Sequence, residues 1–204
     1  MTTRLLVVTI PVFIMGLGLL VLRNAWMTII IYHLFMVLCI VRHNNNPLSV
    51  LFKGNNTGLM VASSLVALIS GLLLTLLWAD IRIDKDMMLL LSNVGLSGRS
   101  IILFSIYYTV ATPILEELFW RFRLSPNDMG IDITDIFFGM YHMVVMLNFV
   151  KPAWAILVWP VLFFTSWFWR FCRLKFNGLI IPLISHLFAD FSIIIATLFL
   201  LKSA

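Results

Sequence analysis

Seven times along the chain an apolar run appears that is close to the length needed to cross a bilayer. The runs are residues 5–22, 25–41, 58–78, 101–120, 136–150, 153–169 and 179–201. A membrane helix needs about 20 mostly apolar residues, so each run is read as a span, giving an all-α, polytopic transmembrane helical bundle of about seven spans. The fifth run is short and is expected to be tilted or partly enclosed by protein. The sixth contains Pro160, which should kink it. The first two runs are separated by Arg23 and Asn24 alone, so they form a hairpin. The first run lacks a small-residue cleavage site and is read as a span, not a removed signal.

The connections differ in character. Residues 42–57 are polar, with Asn44, Asn45 and Asn46 followed by Gly54, Asn55 and Asn56, and His43 reads as a loop residue. Residues 80–100 mix charges with Met87, Met88, Leu89, Leu90 and Leu91, a pattern expected of a short helix lying in the membrane interface. No internal repeat, low-complexity tract or soluble domain interrupts the series, and residues 1–204 are read as a single integral membrane domain.

Composition agrees with this reading. Of the 204 residues, 62% are hydrophobic and 11% charged, whereas soluble domains are about half apolar and a quarter charged. The net charge of +5 then points to span ends and lipid headgroups, with no nucleic-acid partner. Cys39 and Cys172 are too few for a disulfide scaffold and are read as free thiols. For orientation, one face would carry Arg4, Arg42, Lys53, Arg123, Arg170, Arg173 and Lys175, and the other Arg23, Arg82, Lys85, Arg99, Lys151 and Lys202. The slight excess on the first face favours a cytoplasmic N-terminus. It would also leave the Asn55-Asn56-Thr57 sequon unglycosylated.

The chemistry sits where the apolar runs are interrupted. A charge at the centre of a span costs about 2.5–3.5 kcal/mol even on the most forgiving scale, so such residues tend to face one another inside the bundle. The fourth run ends in Glu116-Glu117-Leu118-Phe119-Trp120-Arg121. Glu117 and Arg121 are four apart and can pair on one helical face, while Glu116 points elsewhere and needs a partner from another helix. His142 in the fifth run, and His186 and Asp190 in the seventh, are the candidates. The simplest way to satisfy all of them is one polar pocket between spans 4, 5 and 7. A lone histidine such as His33 in the second run reads as a structural contact. Proton-relaying transporters use the same residue types, so a transport pathway is the competing functional reading, although no inverted repeat supports it.

These residues also carry a resemblance. Glu116-Glu117-x-x-x-Arg121, Phe138-x-x-x-His142 and His186-x-x-x-Asp190, in that order on apolar helices, resemble the three motifs of the CAAX protease and bacteriocin-processing (CPBP, or Abi) family of multi-pass intramembrane proteases. The motif-bearing core covers about residues 101–191. Phe122 stands where many members have glycine, and Asp190 where the type II CAAX prenyl proteases have asparagine. The aspartate adds negative charge near a developing oxyanion and argues against prenylated substrates.

The resemblance implies an endopeptidase that hydrolyses a peptide bond in a membrane-associated peptide or protein. Glu116 would be the general base, with His142 helping to hold and activate water. Glu117 and Arg121 would form a structural ion pair, Phe138 would line the pocket, and His186 with Asp190 would serve the tetrahedral intermediate. It implies no obligatory cofactor; a divalent zinc ion on Glu116, His142 and His186 is the alternative. A non-proteolytic member, acting in bacteriocin immunity or as an acyl-transfer partner, is the other alternative. The partners expected are membrane lipid and the substrate, and the location is a plasma or inner membrane if the source is bacterial.

Overall fold

The computed structural model describes residues 2–42, 48–83 and 86–202. His43, the Asn44 to Asn46 run and Lys85 lie outside the described residues. Helix α1 (Thr2–Met15) runs on into a π-helical segment, Gly16–Val21. The chain then turns at Arg23, in the left-handed region at φ 51°, and enters α2 (Ala25–Val41). The Asn24 side chain caps α2 by accepting from the Met27 amide at 3.0 Å, which closes the expected hairpin. A single-turn α3 (Leu48–Leu51) follows, then α4 (Thr57–Ile81), capped in the same way by Asn56. The short α5 (Met87–Asn93) buries Met87, Leu90 and Leu91 and exposes Met88 and Leu89, as an interfacial helix would.

Helix α6 (Arg99–Glu116) continues without a break as a π-helix, Glu117–Arg123. The remaining helices are α7 (Ile133–Met146), α8 (Pro152–Phe176) and α9 (Ile180–Lys202). Five of these stretches are long and apolar enough to span a membrane, and α2 and α7 are shorter apolar helices. Each of the seven apolar runs therefore forms helix, in a membrane bundle, the fifth only as far as Met146. Helix α7, with 14 residues, would reach only about 21 Å, less than a hydrocarbon core of about 30 Å. It is packed against α1 and α8, as expected of an enclosed short helix.

Two packing seams position the site. Helix α4 lies along α9 through small residues: Ser70 and Ser192 hydroxyls meet at 2.9 Å, and the Gly71 amide donates to Ser192 Oγ at 3.2 Å. A Cβ on Gly71 would collide with the Ser192 carbonyl. Lipid tails are as apolar as leucine, so close backbone approach and interhelical hydrogen bonds hold such a pair together.

Helix α7 is held to α8 by an ion pair. Asp135 and Arg170 meet at 2.6 Å, Ser166 donates to Asp135 at 3.0 Å, and the Arg170 guanidinium also donates to the carbonyls of Asp128 and Gly130. Arg170 is 0% exposed. It is thus not one of the basic residues facing the membrane surface, and α8 extends past residue 169 to Phe176. With Arg170 withdrawn from the count, the two faces carry six basic residues each and the orientation bias disappears. Both cysteines are free, Cys172 buried and Cys39 half-buried.

Candidate active site

Glu116 is the last residue of α6 before the helix widens, and it is 1% exposed. Three other helices reach it. Tyr32 of α2 donates to Oε1 at 3.1 Å. Tyr141 of α7 places its hydroxyl 2.5 Å from Oε1 and from Oε2, so that its one hydrogen is shared between them. His186 of α9 places Nε2 3.8 Å from Oε2. The Tyr32 hydroxyl in turn accepts from the Trp120 indole N–H at 3.1 Å, which leaves its hydrogen for the carboxylate, an acceptor only. Oε1 thus receives the Tyr32 hydrogen and shares the single Tyr141 hydrogen with Oε2, which leaves acceptor capacity on Oε2, the oxygen facing His186.

Glu117 has the expected partner and a second one. Its Oε2 forms the i,i+4 ion pair with Arg121 Nε at 3.5 Å, without a hydrogen bond, and its Oε1 accepts from His186 Nδ1 at 2.9 Å. The Arg121 guanidinium also lies over the Phe138 ring at 4.0 Å and the Trp169 ring at 5.0 Å. Among the described residues it has no hydrogen-bond acceptor.

His142 is half-buried, and both ring nitrogens are engaged: Nδ1 with the Phe138 carbonyl at 2.8 Å and Nε2 with the Tyr141 hydroxyl at 3.1 Å. Tyr141 therefore stands between His142 and Glu116. Asp190 is 8% exposed, with Oδ1 3.8 Å from His186 Nε2 and Oδ2 without a hydrogen-bond partner among the described residues. The residue that holds the His186 ring by a hydrogen bond is Glu117, not Asp190. The buried Phe138 ring lies within 6.2 Å, centroid to centroid, of Trp120, Tyr141, His142, Trp169 and His186. Glu116, Glu117, Arg121, Phe138, His142, His186 and Asp190 are thus gathered into one cluster.

The tyrosine members, Tyr32 and Tyr141, were not anticipated. Tyr141 immediately precedes His142 and Tyr32 immediately precedes His33, so each was adjacent to a residue already singled out. His33 bonds to the Tyr107 hydroxyl at 2.7 Å and lies 3.4 Å from the Thr112 hydroxyl, a satisfied contact between α2 and α6.

Among the described residues no three or more of His, Cys, Asp and Glu are arranged to hold a metal ion. With both His142 nitrogens already bonded, the set Glu116, His142 and His186 does not fit a metal as it stands.

The fold and the cluster define a polytopic membrane protein with acid–base groups sealed between its helices. Residues 98–192, just under half of the chain, match the family model described as Type II CAAX prenyl endopeptidase Rce1-like. The match supports a CAAX/CPBP-family intramembrane protease, and it contains every residue of the three motifs. No curated protein and no solved structure matches the chain.

Proposed function

We propose that this chain is an intramembrane endopeptidase that hydrolyses a peptide bond of a membrane-associated peptide or protein with a water activated by Glu116. The observation that carries the reading is the second oxygen of Glu116, which keeps acceptor capacity on the side facing His186 Nε2, 3.8 Å away. A water held there would give its proton to Glu116 and attack the scissile carbonyl.

His142 supports the base from the far side of Tyr141. With Nδ1–H held by Glu117, His186 serves the developing oxyanion through Nε2 in its doubly protonated form. A donor so placed contributes roughly 3–4 kcal/mol to the transition state. Asp190 flanks the same nitrogen and borders the oxyanion site. Glu117 and Arg121 are structural, the carboxylate fixing the His186 ring and the guanidinium filling the space between Phe138 and Trp169.

The test is cleavage in proteoliposomes of a panel of membrane-anchored peptides that includes a prenylated and an unprenylated C-terminal CAAX sequence. Wild type is expected to cleave at least one, and Glu116→Ala none. Equal cleavage by Glu116→Ala would end the proposal. The same assay with and without a chelator, alongside metal analysis of the purified protein, is expected to show no dependence on metal.

A further inference from the structure

We propose that Tyr141 is a positioning residue that relays to His142 the proton Glu116 takes from water. The inference rests on Glu116 being the base and adds a route for its proton. It begins from the His142 tautomer. Nδ1 faces the Phe138 carbonyl at 2.8 Å, and a carbonyl can only accept, so Nδ1 carries a hydrogen. In the neutral ring Nε2 is then bare, and it faces the Tyr141 hydroxyl at 3.1 Å. The same hydroxyl lies 2.5 Å from both Glu116 oxygens. One phenolic proton is therefore offered two acceptors, a carboxylate and an imidazole nitrogen. The hydroxyl bonded to His142 Nε2 is that of Tyr141, whereas Tyr32 donates to Glu116 and accepts from Trp120.

In the resting site the Tyr141 proton lies toward Glu116. When Glu116 takes a proton from the attacking water, it becomes a carboxylic acid and no longer needs that donor. The acid then gives its proton to the Tyr141 oxygen while the Tyr141 O–H proton passes to His142 Nε2. The water oxygen forms a bond to the carbonyl carbon, and the carbonyl electron pair moves to its oxygen. The balance is a hydroxide added to substrate, a restored Glu116 carboxylate, an unchanged phenol and an imidazolium at His142. The reverse transfer supplies the proton to the leaving amine as the C–N bond breaks. Glu116 is fully enclosed whereas His142 is partly exposed, so the relay links the buried base to a group with access to the surroundings.

Two readouts test it. With a peptide the wild type cleaves, Tyr141→Phe is expected to lower kcat about 100-fold with little change in KM. It should move the acidic limb of the pH–rate profile to the position it takes in His142→Gln, where Glu116 alone sets it. The double variant should be no slower than Tyr141→Phe alone, because the two residues act in series. Multiplying losses, or an acidic limb that keeps its wild-type position in Tyr141→Phe, overturn the relay. Where Tyr141→Phe does not fold, 3-fluorotyrosine at position 141 is expected to shift the acidic limb, and an unshifted limb overturns the relay. The second readout needs no substrate. The imidazole nitrogen resonances of His142 are expected to move in Glu116→Gln only when Tyr141 is present. Absence of that coupling defeats the relay, whereas coupling without cleavage of any peptide counts against the protease reading and leaves the proton path standing.

Discussion

Glu117 Oε1, on the π-helical segment that follows α6, and His186 Nδ1, on α9, are 2.9 Å apart with neither side chain more than 2% exposed. The contact fixes which imidazole nitrogen turns toward Glu116. It also makes Glu117 the acceptor for one buried group and the nearest counter-charge for another, Arg121. Glu117→Ala is expected to cost about 3–5 kcal/mol, because it leaves a buried guanidinium without a nearby anion. Glu117→Gln keeps an oxygen for Nδ1–H. It is expected to melt closer to wild type while losing activity through the weakened hold on the ring. Thermal unfolding in detergent, read beside the cleavage assay, separates the two effects. An Ala variant that melts like wild type would remove Glu117 from the structural role.

Asp190 offers a second test, since its Oδ1 is 3.8 Å from His186 Nε2 and its Oδ2 has no hydrogen-bond partner among the described residues. Glu117 already holds the ring, so the Asp190 carboxylate is not needed to set its tautomer. Asp190→Asn is expected to retain activity within about tenfold of wild type, a loss of at most ~1.4 kcal/mol. Asp190→Ala, which removes the hydrogen-bonding group beside the oxyanion, is expected to lose about 100-fold. Initial rates for both, with chromatographic elution as the fold control, decide the matter. An Asn variant as inactive as Ala would mean that the charge itself is used.

These contacts show which parts of the molecule could be read from the chain. The spans were legible because apolar length is a property of contiguous residues, and α2 occupies the run at residues 25–41. The cluster was legible because ionisable groups are costly in lipid and had to meet. Its pairing was legible only in part. Sequence spacing pointed Glu117 to Arg121 at i+4, and that ion pair forms, but the bond from a histidine 69 residues away to the other Glu117 oxygen left no trace in local spacing. Tyr141 gave no signal, because aromatic residues make up 14% of the chain and one more in an apolar run is unremarkable by composition. Arg170 read as a loop cation because its partner Asp135 lies 35 residues away, just before the apolar run at 136–150.

That pair is the main polar lock between α7 and α8. Asp135→Ala would strand Arg170, which is 0% exposed and, among the described residues, would keep hydrogen bonds to the Asp128 and Gly130 carbonyls but no ion-pair partner. A loss of about 3–5 kcal/mol is expected, read as poor membrane accumulation or a lowered Tm. The reciprocal pair Asp135→Leu with Arg170→Met removes both charges together and is expected to recover much of the loss. Failure of the double variant to exceed either single one would show that the carbonyl contacts, not the ion pair, hold the seam.

The N-terminal helix is tied to the same region by a more exposed contact, and pH should reveal it. Asp132 caps α7 and accepts from the Thr134 amide at 2.9 Å, the Thr134 hydroxyl at 2.7 Å and Arg4 at 2.5 Å. Burial on its own would raise the Asp132 carboxyl, but the Thr134 donors and the Arg4 guanidinium outweigh it and hold the group below the usual aspartate value. A carboxyl depressed in the folded protein contributes stability that is fully present above its unfolded value, about 3.9. That contribution is lost as pH falls through the lower folded value, when the carboxylate is protonated and releases its donors. The Tm of wild type is therefore expected to fall as pH drops below about 4. In Asp132→Asn the side-chain oxygen still caps α7, but no carboxylate remains to titrate. Its melting curve should start lower at neutral pH and lose part of that acid dependence. Parallel pH dependence in the two proteins would show that Asp132 contributes no titrating stability, and that the Arg4 contact is incidental to the docking of α1.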